Sequence, residues 1–175
     1  MITPNLFRGF YTFTLMSFVA LVLIGCGFHL RGADGALETP FKTMYVAVDA
    51  RSPLGSELVR NLRANGDTKL VATAKEAEAT LEILQDNRNK TVLSLNSAGR
   101  VREFALTHQL RFRVTDAVGR EVLMPTEINL RRTVSFNETQ VLAKEAEEAL
   151  LFRDMQTDMV RQILRRVGAI KLEGK

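Results

Sequence analysis

The chain is poor in the residues that most chemistry needs: its 175 residues include no tryptophan, one cysteine, two tyrosines, two histidines and four prolines. A single cysteine excludes an intrachain disulfide, so folding rests on a hydrophobic core alone. The two histidines, His29 and His108, stand far apart and make no recognisable zinc pattern with a lone thiol. There is no G-x-S-x-G, no phosphate-binding glycine loop and no dinucleotide fingerprint. The carboxylates fall mainly at helical surface spacing, where they solvate a face more often than they catalyse. No enzyme, metal or cofactor is expected. A net charge of +4 permits an anionic partner but does not by itself call for nucleic acid.

What is present begins at the N-terminus. After Arg8 the run Phe10 to Ile24, "FYTFTLMSFVALVLI", carries no charge. It falls short of the roughly 20 residues a membrane-spanning helix requires, and reads instead as a weakly basic opening followed by the apolar segment of an export signal. The run ends in "LIGC", where Gly25 fits a signal-peptidase site and Cys26 sits immediately after it. This pattern resembles the bacterial lipobox, in which the thiol receives a diacylglycerol before cleavage. The expectation is that residues 1–25 are removed and that Cys26 is acylated; two or more acyl chains give stable attachment where one is marginal. Gly27 follows, not the aspartate that usually retains lipoproteins of Gram-negative bacteria in the inner membrane. Outer-membrane attachment on the periplasmic side is therefore expected. Cleavage leaves 150 residues with a net charge of +3, a size that suits one domain with a proper core.

The rest divides into a lipidated tether over 26–42, a single α/β domain over 43–168, and a tail over 169–175. Thr43 to Val48 reads as a short strand. Pro53 opens a helix with Leu54, Leu58 and Leu62 on one face and Arg60 and Arg63 outside, stopped by Asn65-Gly66. A short strand follows near Leu70 and Val71. Ala79–Leu84 and Thr91–Leu95 read as strand, either two strands or one long strand interrupted at "QDNRNK", Gln85 to Lys90. After the turn "NSAG", Phe104, Leu106, His108, Leu110, Phe112 and Val114 alternate with polar residues, the period of a half-buried strand. The turn "DAVG" leads to Glu121–Met124, and Pro125 implies an edge, a bulge or a kink. Ile128, Leu130, Val134 and Phe136 resume the alternation, with Arg132 breaking the apolar side. A long helix from Thr139 to Val167 is expected, with Leu142, Ala146, Ala149, Met159, Ile163 and Val167 as its inner stripe and Gly168 as its end. Two amphipathic helices and a sheet with one apolar face predict a two-layer α/β sandwich: a mixed, mostly antiparallel sheet with both helices on one face. The other sheet face, with Arg111, Arg113 and Arg131, stays polar.

Three segments carry a resemblance to a known family: "CGFHLRG" from Cys26, "PLGSELVRNLRANG" from Pro53, and "VLAKEAEEALLFRDMQTDMVRQILRRV" from Val141. In this order, with strands between them, they resemble the lipopolysaccharide-assembly lipoproteins of the Gram-negative outer membrane. The resemblance implies a non-catalytic subunit of the lipopolysaccharide translocon. Such a subunit sits inside a large β-barrel as a plug, helps that barrel assemble and binds lipopolysaccharide. In the family a lysine in the "LAK" segment is linked to lipopolysaccharide contact, and Lys144 matches it. A basic position near the central hairpin has no direct match, since "NSAG" stands there; Arg100 and Arg102 lie a few residues on, and Arg132 is a further candidate. Two readings of other classes compete: a free-standing periplasmic lipid carrier, which needs a large apolar cavity, and an envelope scaffold with no lipid ligand.

Overall fold

The structure, a computed structural model, describes residues 39–64 and 68–172. The expected signal segment, Cys26 and the first resemblance segment lie outside the described residues, as does the Asn65-Gly66 stop. Five strands form one sheet in the order β2-β1-β3-β4-β5: β1 (Thr43–Ala47), β2 (Lys69–Leu70), β3 (Ala79–Leu95), β4 (Val101–Asp116) and β5 (Glu121–Ser135). β1 runs parallel to both neighbours, while β3, β4 and β5 are antiparallel. Two helices, α1 (Pro53–Ala64) and α2 (Val141–Gly168), pack on one face, as the alternation in β4 required.

Two near-identical turns build the long meander. In "NSAGR" the Asn96 Oδ1 accepts from the backbone N–H groups of Ala98 and Arg100, both at 3.0 Å. In "DAVGR" the Asp116 Oδ1 accepts from Val118 and Arg120 at 3.0 and 2.9 Å. Each turn then needs a left-handed residue, supplied by Gly99 (φ +74°) and Gly119 (φ +84°). Between them β3 and β4 run for 17 and 16 residues, well beyond the usual strand length. At about 3.3 Å per residue β3 extends roughly 55 Å. One end of this ribbon, the tip, carries the Asn96–Gly99 turn, the end of β5 and the start of α2. The opposite end carries the Asp116–Gly119 turn and the start of β1.

The strand β3 corrects one expectation. Gln85 to Lys90 is not an interruption but continuous strand, paired with β4 throughout. A bulge at Leu84 shifts the alternation by one residue, so that Asp86, Arg88 and Lys90 come to face the helices opposite Leu110, His108 and Leu106. These charges end on polar partners. Arg88 donates to Gln156 Oε1 at 2.6 Å, and Asp86 Oδ1 sits 2.6 Å from His108 Nε2. His108 is fully buried, and its Nδ1 has no partner among the described residues. Pro125 behaves as its chemistry demands: β5 is an edge strand, and Met124 and Pro125 are the extra residues in the register shift opposite Arg113.

The core lies at the half of the sheet away from the tip. Leu54, Leu58 and Leu62 of α1 and Met159, Val160, Ile163, Leu164 and Val167 of α2 close over Met44, Leu81, Leu110, Phe112 and Ile128. A smaller cluster of Leu106, Val134 and Met155 extends it towards the tip. Between the two helices a carboxylate is taken out of water. Glu57 of α1 is buried and accepts from Gln156 Nε2 at 2.6 Å and Thr157 Oγ1 at 2.8 Å, so Gln156 bridges α1, α2 and β3.

The start of α2 corrects a second expectation. A 3₁₀ turn (Glu138–Gln140) precedes the helix, and no side chain before Met155 is buried. Leu142, Ala146 and Ala149, expected on the inner stripe, face solvent; Leu142 is 82 % exposed. Helical periodicity places these residues on one stripe, but here Val141, Lys144, Glu145 and Glu148 line the side towards the sheet, and α1 packs on this helix only from Gln156 onward.

Candidate functional site

The tip gathers cations and exposed apolar groups. Val92, Leu93 and Leu95 of β3 and Val141 and Leu142 of α2 are all exposed there. Under the start of α2 lies a small cleft of about 50 Å³, lined by Phe104, Val134, Phe136 and Val141 with Lys90 and Lys144 at its border. Phe104 and Phe136 meet edge to face, with centroids 5.4 Å apart. This pairing follows from β-register, since Phe104 lies opposite Val134 and the chain continues to Phe136.

Both lysines are held in place. Lys90 Nζ stands 4.3 Å above the Phe104 ring and 2.5 Å from Glu148. Lys144 Nζ donates to Ser135 Oγ at 2.9 Å and pairs with Glu147 at 2.8 Å. An ammonium over a ring face beside a carboxylate is attracted by both. The aromatic floor also lowers the local dielectric for any anion that replaces the carboxylate. The arrangement can therefore take a phosphate-like group at the lysines while apolar chains meet the aliphatic rim.

Of the sequence candidates, Lys144 lines the cleft. Arg100 and Arg102 stand just after the tip turn: Arg100 pairs with Glu138 at 3.1 Å, and the Arg102 carbonyl accepts from Phe136 N–H at 2.8 Å. Arg132 is elsewhere, three residues down β5 from Ser135, paired with Asp158 and donating to the Arg131 carbonyl, both at 3.1 Å. Lys90 was missed because its segment read as a loop. The signal was available, since Asp86, Arg88, Lys90 and Val92 keep period two. Among the described residues no three histidine, cysteine or acidic side chains converge to hold a metal, and no helix is long and apolar enough to cross a membrane.

Comparison with known proteins decides the class. The LptE family, described as lipopolysaccharide-assembly, matches residues 41–167. The chain belongs to this family. Its relatives include the LPS-assembly lipoprotein LptE of Pectobacterium atrosepticum, 26 % identical over 162 residues, covering 90 % of this chain and 85 % of that one. The LptE of Photorhabdus laumondii is 27 % identical over 153 residues, covering 87 % and 82 %. Among solved structures, lipoprotein B of Nitrosomonas europaea is 42 % identical with a TM-score of 0.70, over 82 % of this chain and 91 % of that one. The rare lipoprotein B of Shewanella oneidensis is 25 % identical with a TM-score of 0.64, over 73 % and 94 %. The LptE match spans the second and third of the segments that carried the resemblance, the Pro53 helix and the Val141 helix.

Proposed function

We propose that the chain is a lipoprotein subunit of the lipopolysaccharide translocon of the outer membrane. In this reading it is acylated at Cys26, held on the periplasmic side and seated within a large β-barrel that it helps to assemble. It catalyses nothing and uses no cofactor. It binds the lipopolysaccharide that passes, through Lys90 and Lys144 with Arg100 and Arg102 beside them. One observation carries the ligand assignment: two lysines flank an aromatic cleft at a tip whose exposed large apolar side chains are Val92, Leu93, Leu95, Val141 and Leu142. Cations beside aliphatic groups match a ligand that is phosphorylated at one end and acylated at the other.

The sheet supports the plug assignment. Its outer face bears Gln85, Asn87, Asn89, Thr107, Gln109, Asn129 and Arg131 across three strands, and both described helices lie on the other face. A hydrated barrel lumen accepts such a face at little desolvation cost. The cleft among the described residues does not suit the carrier reading. At roughly 10–15 Å³ for each water, a cleft of about 50 Å³ holds a few waters rather than several acyl chains.

The test is a pull-down of the lipidated protein from detergent-solubilised outer membranes, paired with binding of labelled lipopolysaccharide. Recovery of one large barrel in about equal amount, with binding weakened in Lys90→Gln/Lys144→Gln, is expected. Recovery of the lipoprotein alone from membranes holding intact barrel would sink the subunit assignment.

A further inference from the structure

We propose that the first three turns of α2, Val141–Leu150, form a lid that an anion unlatches, opening a trough for one acyl chain. The proposal rests on the lipopolysaccharide-binding reading and names how the same site works. Three observations meet here. The segment is helix, yet none of its side chains is buried, and Leu142, Ala146, Ala149 and Leu150 all face solvent. Its polar ties to the sheet are the Lys90–Glu148 ion pair and the hydrogen bond from Lys144 to Ser135. Beneath it the cleft is already open at its border, and its floor of Phe104, Val134 and Phe136 is apolar.

The floor does not end at the cleft. Phe104 and Val134 belong to the cluster of Leu106, Leu130, Leu151, Phe152 and Met155, so a groove opened at the tip continues as apolar surface towards the core. The closed cleft is too small for an acyl chain; the chain enters only if the helix start moves.

The latch is two polar ties to the sheet, Lys90–Glu148 and Lys144–Ser135, while Lys144 also pairs with Glu147 on its own helix and Glu145 lines the cleft. A phosphate group that captures Lys90 and draws the Lys144 ammonium off Ser135 breaks both ties. Glu148 then faces the bound anion with its sheet partner gone, and its repulsion, with that of Glu145, swings the helix start outward while the long Lys144 side chain keeps its hold on the phosphate. Val141, which already lines the cleft, then meets the aliphatic chain, which removes apolar surface from water on both sides. A neutral amphiphile by itself lacks the group that breaks the latch.

The chain has no tryptophan, so Phe136→Trp gives a single tryptophan, excited apart from the two tyrosines, in the trough of the full protein. The probe is dodecyl phosphate with a terminal bromine, used below its micelle concentration, against the matching bromododecanol and inorganic phosphate. The expected result is quenching by the bromoalkyl phosphate, not by the alcohol. In Lys90→Gln/Lys144→Gln the quenching midpoint rises about tenfold or more, since two charge-assisted contacts are lost. Inorganic phosphate alone speeds amide exchange over Val141–Leu150 and leaves Met155–Val167 unchanged. Val141→Trp, on the exposed lid, is a second reporter should the Phe136 variant fold poorly. Equal quenching by alcohol and phosphate overturns the lid. So does retained binding of labelled lipopolysaccharide with no quenching at either reporter, and in that case the binding assignment stands. Loss of lipopolysaccharide binding in the unsubstituted protein would instead remove the assignment on which the lid rests.

Discussion

Gln156→Leu tests the buried junction between the helices. Gln156 is 7 % exposed and Glu57 9 %, so water does not replace a lost partner at either. The substitution removes the 2.6 Å bond that Gln156 Nε2 donates to the Glu57 carboxylate and the 2.6 Å bond that Arg88 donates to Gln156 Oε1. Glu57 keeps Thr157 at 2.8 Å, and Arg88 keeps the Phe152 ring at 5.9 Å. A hydrogen bond to a charged group contributes about 1.5–3 kcal/mol, and leucine regains part of this through apolar burial. The expected loss is about 2 kcal/mol, or roughly 6–10 °C in Tm for a domain of this size. Urea denaturation followed by circular dichroism, on the mature chain carrying Cys26→Ala, measures it. The diagnostic comparison is Glu57→Leu/Gln156→Leu. Removing both polar partners leaves no unsatisfied carboxylate, so the double variant should be more stable than Gln156→Leu alone. Additive losses, or a single-variant cost under about 0.5 kcal/mol, would refute the claim that Gln156 acts by satisfying a buried charge.

Three further outcomes follow from the same structure. Gly99→Ala should cost about 1–2 kcal/mol from its left-handed backbone alone, because no atom lies within 4 Å of the added Cβ; Gly55→Ala should cost more, because its Cβ would fall 2.2 Å from the Asp49 carbonyl, and thermal melts rank the two. Burial pushes the Asp116 carboxyl up, but the bonds it accepts from the backbone and guanidinium of Arg120 and from Val118 prevail and hold it below its ordinary 3.8. Its folded value is depressed, so its stabilisation is present above that range and is lost as pH falls through the folded value. The stability gap between wild type and Asp116→Asn should thus be constant at neutral pH and shrink below about pH 4 in acid titrations; a gap independent of pH would refute it. Finally, Arg166 caps the Glu127 carbonyl at 3.0 Å and Arg132 the Arg131 carbonyl at 3.1 Å, along the open edge of β5. Arg132→Ala/Arg166→Ala should self-associate through that edge in sedimentation measurements, while a variant that stays monomeric would return Arg132 to the ligand candidates.

What the sequence determined by itself is local or periodic. Pro53 with leucines four apart makes a one-faced helix wherever it lies, and β4 alternates because its two faces meet different media. "NSAGR" and "DAVGR" fold into the same turn because the side chain of the first residue reaches its own backbone and glycine tolerates the positive φ. Together with the family segments, these were enough for the two-layer sandwich. Tertiary structure decided the rest. Gln85 to Lys90 has the composition of a loop, and it is strand because β4 runs beside it and α2 offers Gln156 and Glu148 to its charges. Leu142, Ala146 and Ala149 have the spacing of a core stripe, and they are exposed because Val141, Lys144, Glu145 and Glu148 occupy the side turned to the sheet and α1 packs on this helix only from Gln156 onward. Lys90 joins Lys144 although 53 residues lie between them, a meeting fixed by strand register and the docking of one helix. Periodicity states which side of an element is apolar; only the packed neighbours state how far along that element the apolar side is covered.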